Sequence, residues 1–385
     1  MFQIGSIKYN IVKLVFCSKH KKISALHYKE DGMYYVAIID IEKKEIEFEI
    51  PLNLSFYSSG LWSLDTFPNA WSNRMSEIYP KYSAYAKFYH INDNVDRVFT
   101  DLRDLKLFEV NFDKKEILLF TNIQEYTFKN SKLSDNIFYK YRLLLYSFEG
   151  DIIKQIDKDI NEKLEHVSLI KPDKILFYKE SWKNDLEIFN YNSNTTCTFD
   201  LLNNEYIFRE KEFCDYEYLD EMQSINNSNL IGYIVQHPTY GAYGVQIIRY
   251  TETEIQPIYD LEIIDNGNFQ SLTFNYSGNE FSVIGLNNQD EFLSIIVYSI
   301  SENDYNPKKV INTKYKYNAD FDSFNILRYY KNDKIVIVKS NKIVIYNLIS
   351  GNLETELKRN VISPFCISED RILYFLDNKL MVYKE

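Results

Sequence analysis

The segment Ile343–Leu357, IVIYNLISGNLETEL, alternates apolar and polar positions, turns at Ser350-Gly351 and alternates again. A period of two bounded by a Ser-Gly turn predicts a β-hairpin. The same pattern recurs from Val36 (VAIIDIEKKEIEFEI), Leu105 (LKLFEVNFDKKEILLF), Leu143 (LLLYSFEGDIIKQI), Leu186 (LEIFNYNSNTTCTFDL), Gln246 (QIIRYTETEIQPIYDL) and Ile295 (IIVYSISENDYNPKKVI). The chain closes on KLMVYKE, Lys379–Glu385, a strand whose partner is missing from the sequence that follows. Two further short strands precede most of these hairpins, for example FNILRYY and KIVIVKS before Ile343. The repeating unit is therefore four antiparallel strands, a to d, with a period of roughly forty to sixty residues. Almost nothing reads as a long amphipathic helix; DKDINEKLEHV, Asp157–Val167, suggests a short one.

A four-stranded meander cannot bury both of its faces alone, but copies stacked radially can. The expected fold is all-β, a β-propeller spanning 1–385 as one domain, with long loop insertions near 53–89 and 203–229. Counting hairpins gives eight units, while seven-bladed rings are common and terminal fragments are easily counted twice, so seven and eight both stand. An N-terminal strand within Phe2–Phe16 is expected to supply the missing fourth strand of the last unit and close the ring, since closure removes sheet edges that otherwise aggregate.

KIVIYNLISGNLETEL resembles the c–turn–d portion of a WD40-type blade, with Tyr346-Asn347 in the place of Trp-Asp, and NYSGNEF (Asn275–Phe281) resembles the turn between strands a and b. No Trp-Asp dipeptide and no Gly-His start occurs in the chain. The resemblance implies degenerate WD40-like blades and a non-catalytic interaction role, with no particular subfamily.

Composition sharpens this in two ways. Aromatic residues make up 16% of the chain, with 33 Tyr and 26 Phe, which favours half-buried pleated surfaces. The net charge is −11 and the pI about 5.2. Phosphate-backbone binding leaves a basic footprint, so nucleic acid is not expected as a partner, and an acidic surface would instead steer in a basic one. The cysteines Cys17, Cys197, Cys214 and Cys366 are widely spaced without a CxxC, which reads as reduced thiols in a cytoplasmic setting. Lys8 and Lys13 interrupt any secretory apolar core near the start, and no apolar run reaches membrane-spanning length, so no membrane partner is expected. The oligomeric state is not read from the sequence.

Strand direction alternates along a meander, so d–a and b–c connections emerge at one end of a blade, and a–b and c–d connections at the other. Trp62 and Trp71 fall in a long d–a segment, Trp182 in a b–c segment (ESWKND), and His237, Tyr240 and Tyr243 in another (QHPTYGAYG). Asp215 and Glu217 belong to the acidic d–a segment CDYEYLDE. Trp and Tyr bury large rigid areas and dominate binding hot spots, so these eight residues are the candidate binding set. His237 lacks a neighbouring second histidine, and the carboxylates match no EF-hand spacing. No nucleophile elbow, P-loop or dinucleotide glycine pattern occurs. The expectation is a protein without catalysis, cofactor or metal that binds a protein partner through its aromatic loop face, as a scaffold or as a neutralising, immunity-type protein. The competing reading is a carbohydrate-binding or glycoside-processing propeller, since aromatic platforms stack on sugars and paired carboxylates hydrolyse them.

Overall fold

The computed structural model describes residues 2–4, 10–29, 33–55, 97–129, 132–160, 164–171, 173–179, 185–200, 218–225, 229–237, 242–251, 255–264, 269–286, 292–301, 306–316, 326–361, 363–377 and 379–385. Every helix or strand among them is a β-strand, and the strands form seven four-stranded sheets. After β1 (Phe2–Ile4), six sheets follow in chain order. They are β2 (Asn10–Cys17), β3 (Lys22–Tyr28), β4 (Met33–Asp40) and β5 (Glu45–Ser55); β6 (Arg97–Asn111), β7 (Glu116–Lys129), β8 (Lys132–Ser147) and β9 (Ile152–Ile160); and β10 (Leu164–Lys171), β11 (Lys174–Lys179), β12 (Asp185–Asn190) and β13 (Thr195–Asp200). Then come β14 (Tyr218–Ile225), β15 (Leu230–His237), β16 (Ala242–Tyr250) and β17 (Ile255–Ile264); β18 (Phe269–Phe274), β19 (Glu280–Leu286), β20 (Phe292–Ser299) and β21 (Lys309–Lys316); and β22 (Ile326–Tyr329), β23 (Lys334–Val338), β24 (Lys342–Asn347) and β25 (Leu353–Lys358). The seventh sheet joins β26 (Cys366–Ile367), β27 (Ile372–Leu376) and β28 (Lys379–Tyr383) to β1. These are blades of the β-propeller kind. The chain divides into two compact units, Tyr9–Leu164 and Met1–Lys8 with Glu165–Glu385.

The missing fourth strand of the last blade comes from the N-terminus: Phe2 pairs with Val382, Gln3 with Met381 and Ile4 with Leu380. It occupies the start of the segment Phe2–Phe16; the remainder of that segment begins the next sheet as β2. Two expectations are corrected. The hairpin from Leu105 is no separate unit: β6 and β7 are strands a and b of the sheet whose c–d hairpin begins at Leu143. The eight hairpins thus collapse to seven sheets among the described residues. The described residues of Asp157–Val167 form strands and not a helix. Asp157 lies in β9, where Arg142 on β8 grips it at 2.7 Å, and Val167 lies in β10. Ile156 is buried while both of its neighbours are not, which is a strand period.

Burial explains why the strands differ in sequence. Strand b of one blade, β23 (KIVIV), is buried at every position, as expected for a strand covered on both faces. The outer strands β21 and β25 alternate between buried and exposed. In the larger unit the sheets β18–β21 and β22–β25 share one core containing Ile295, Ile311, Ile335, Ile337 and Tyr346. In Tyr9–Leu164 the sheets β2–β5 and β6–β9 share another, with Val36, Ile38, Ile117, Leu119 and Tyr146. Each such aliphatic side chain contributes about 1.5–3 kcal/mol on burial.

The turns repeat as well. The last residue of strand c holds the c–d turn with a side-chain oxygen. Asn347 Oδ1 accepts from the backbone N–H of Ile349 and Ser350, both at 2.8 Å. Asp40 does the same for Glu42 and Lys43, and Asn190 for Asn192 and Ser193. Ser147 plays this part between β8 and β9. These Asx-type turns fix where strand c ends and d begins.

Candidate functional site

The strand order sorts the predicted binding residues. Trp62 and Trp71 belong to the d–a connection between β5 and β6, Trp182 to the b–c connection between β11 and β12, and Asp215 and Glu217 to the d–a connection between β13 and β14. These five, and Tyr240 in the b–c connection between β15 and β16, lie outside the described residues. Of the eight, His237 and Tyr243 have a described backbone. His237 is the last residue of β15 and pairs with Ala242, while Tyr243 on β16 pairs with Gln236.

Within Tyr9–Leu164 the structure adds a site that the sequence reading passed over. A cleft of about 410 Å³ opens beside the a–b and c–d turns of the first two blades, the opposite class of connection. Its walls are aromatic. Phe148 lies 6.0 Å from Phe48 and 5.8 Å from Phe112, the second contact edge-to-face. His20 stacks at a tilt on Phe112 at 5.3 Å. Phe48, on the outer strand β5, is 40% exposed, so one wall keeps a free π-face. Several nearby charges are paired: Lys22 bonds Asp40 at 2.6 Å and Glu47 at 2.7 Å, and Asp113 bonds Lys19 at 2.6 Å and His20 at 3.1 Å. The Lys19 hydrogen bond holds the Asp113 carboxyl below its usual range. Lys22 likewise keeps Asp40 down at about 2. Such a cleft rewards an apolar group rather than a charge. Its residues come from three turns and three strands spread between His20 and Glu149, so no local motif announces it.

A second cluster lies deeper in β3–β5. His27 is fully buried, 3.2 Å from Glu49, and stacks on Tyr35 at 5.7 Å. Lys29 bonds the other Glu49 oxygen at 2.6 Å and covers the Tyr35 ring at 4.1 Å. Burial pushes the imidazole pKa down to about 4 against the pull of Glu49.

No protein-family model and no curated protein matches the chain. Among solved structures, the uncharacterized protein lmo1340 of Listeria monocytogenes EGD-e is similar at 12% identity and a TM-score of 0.51, covering 100% of this chain and 97% of that one. The AfRom2 CNH domain is similar at 11% identity and a TM-score of 0.47 over 99% and 97%. The WD40 domain of Pan2 from Neurospora crassa is similar at 9% identity and a TM-score of 0.41 over 72% and 88%. At such identities the likeness is one of fold, and the chain has the four-stranded blades of a β-propeller.

Proposed function

We propose that the protein is a non-catalytic interaction module of the cytoplasm that grips a protein partner through its d–a and b–c connections. What supports this reading is the sequence order: all three tryptophans, the His237–Tyr243 segment and the Asp215–Glu217 pair fall in or beside stretches between strands d and a or between strands b and c. Large rigid aromatics gathered in one class of connection suit a hot-spot surface. The acidic pair would then form a rim that hastens capture of a basic partner. A scaffold or a neutralising, immunity-type protein is the biological form such a module takes.

The test is a partner recovered on the wild-type protein and then purified. Trp62→Ala, Trp71→Ala or Trp182→Ala is expected to weaken its binding about 30- to 1000-fold with the melting temperature unchanged. Full affinity in all three variants overturns the assignment.

A further inference from the structure

In a chain of net charge −11, several lysines gather around one tyrosine among the described residues of the larger unit. Three ammonium groups surround the ring of Tyr315: Lys342 at 4.3 Å from its centroid, Lys339 at 5.1 Å and Lys314 at 5.6 Å. Lys314 and Lys342 share a single carboxylate, Glu356, the second at 3.7 Å. That carboxylate also accepts the Tyr315 hydroxyl at 2.9 Å. Directly across the β24–β25 ladder from Lys342 stands Lys358, and like charges in that position repel. Three lysines, Lys314, Lys342 and Lys358, thus face one saturated carboxylate. Lys314 is exposed, with 57% of its side chain open to solvent, and Lys358 is exposed at the end of the edge strand β25.

We propose that this patch is a docking surface for an acidic, extended segment of a protein partner, whose carboxylates are taken up by Lys314, Lys342 and Lys358. Charge complementarity names the occupant: Glu356 is shared between Lys314 and Lys342, and an incoming anion would offset the remaining repulsion across Lys342 and Lys358. The lysines are spread along the ends of three strands rather than gathered at one point. That arrangement fits several carboxylates in a row better than one phosphate group, for which convergent donors are needed. Lys314, Lys342 and Lys358 stand at the d–a and b–c ends of β21, β24 and β25; the proposal does not rest on the role of the tryptophans.

The experiment titrates a fluorescein-labelled polyglutamate peptide into the full-length protein and follows anisotropy at rising salt. Wild type is expected to bind in a salt-weakened manner. Lys314→Gln with Lys342→Gln should lose affinity by about tenfold or more. Lys358→Glu should lose it too while retaining its fold, because it places opposite charges across the ladder. Lys43→Glu with Lys114→Glu, on turns of the other unit, should bind as wild type. The proposal is overturned if the peptide does not bind, if the patch variants bind normally, or if the control lysines matter equally. Patch-dependent binding of pyrophosphate or phosphatidylserine vesicles in place of the peptide would overturn it as well.

Discussion

Six hairpin turns among the described residues place lysine or asparagine at a position with positive φ, where glycine is the usual choice. Lys21, Lys44, Lys115, Asn194, Asn229 and Lys331 all adopt φ between 52° and 62° in a–b or c–d turns. That explains how a β-rich chain manages with 11 glycines. It also shows why the turns were legible as polar clusters but not as turn types. The buried His27 was not legible at all, since its partners lie on β4 and β5. With a folded-state pKa of about 4, against about 6.5 in the unfolded chain, the unfolded state takes up a proton first as pH falls. Stability is therefore whole near pH 7 and declines as pH drops through about 6.5 towards 4. The loss between pH 7 and pH 5 is expected to be on the order of 1–2 kcal/mol. His27→Phe, which retains the ring contact with Tyr35, should flatten that slope in denaturant titrations; an unchanged slope would assign the acid sensitivity elsewhere.

Strand length and order were readable from the period-two pattern, and the hairpin from Leu105 shows its limit. An a–b hairpin and a c–d hairpin have the same local chemistry, so only pairing with β8 tells that β6–β7 opens a blade rather than ending one. How blades meet is set by close contacts that a sequence does not display. A Cβ added to Gly150, in the β8–β9 turn, would stand 2.2 Å from the carbonyl oxygen of Pro51 on β5. One added to Gly232 on β15 would stand 2.6 Å from the Phe274 ring and 2.7 Å from Leu272 on β18. The first obstacle is backbone, at a residue with φ of 91°; the second is side chain. Gly150→Ala should therefore destabilise more than Gly232→Ala, the latter by about 1–3 kcal/mol as for other overpacked sites. Equal melting temperatures for wild type and Gly150→Ala would refute this account of the contact.

At the scale of the whole molecule, the fold class and the use of the N-terminus to finish the last blade follow from counting strands. The aromatic cleft and the lysine patch do not, because each draws residues from several strands that meet only on folding. The contribution of β1 is open to test. Removing Met1–Ile4 leaves the backbone of β28 unpaired along one edge, a template for association between molecules. The shortened protein is expected to melt earlier and to scatter light on concentration. A variant that stays monodisperse with an unchanged melting temperature would show that three rungs at this edge contribute nothing.

Those rungs also determine how the chain would respond to a pull. Phe2 lies opposite Val382 and Ile4 opposite Leu380, so both chain ends leave the strand pair on the same side. Tension between the termini would then load the bonds one after another, peeling β1 away as a zipper opens, instead of shearing all three together. Held by its two ends, the protein yields first at the seam where its beginning meets its end.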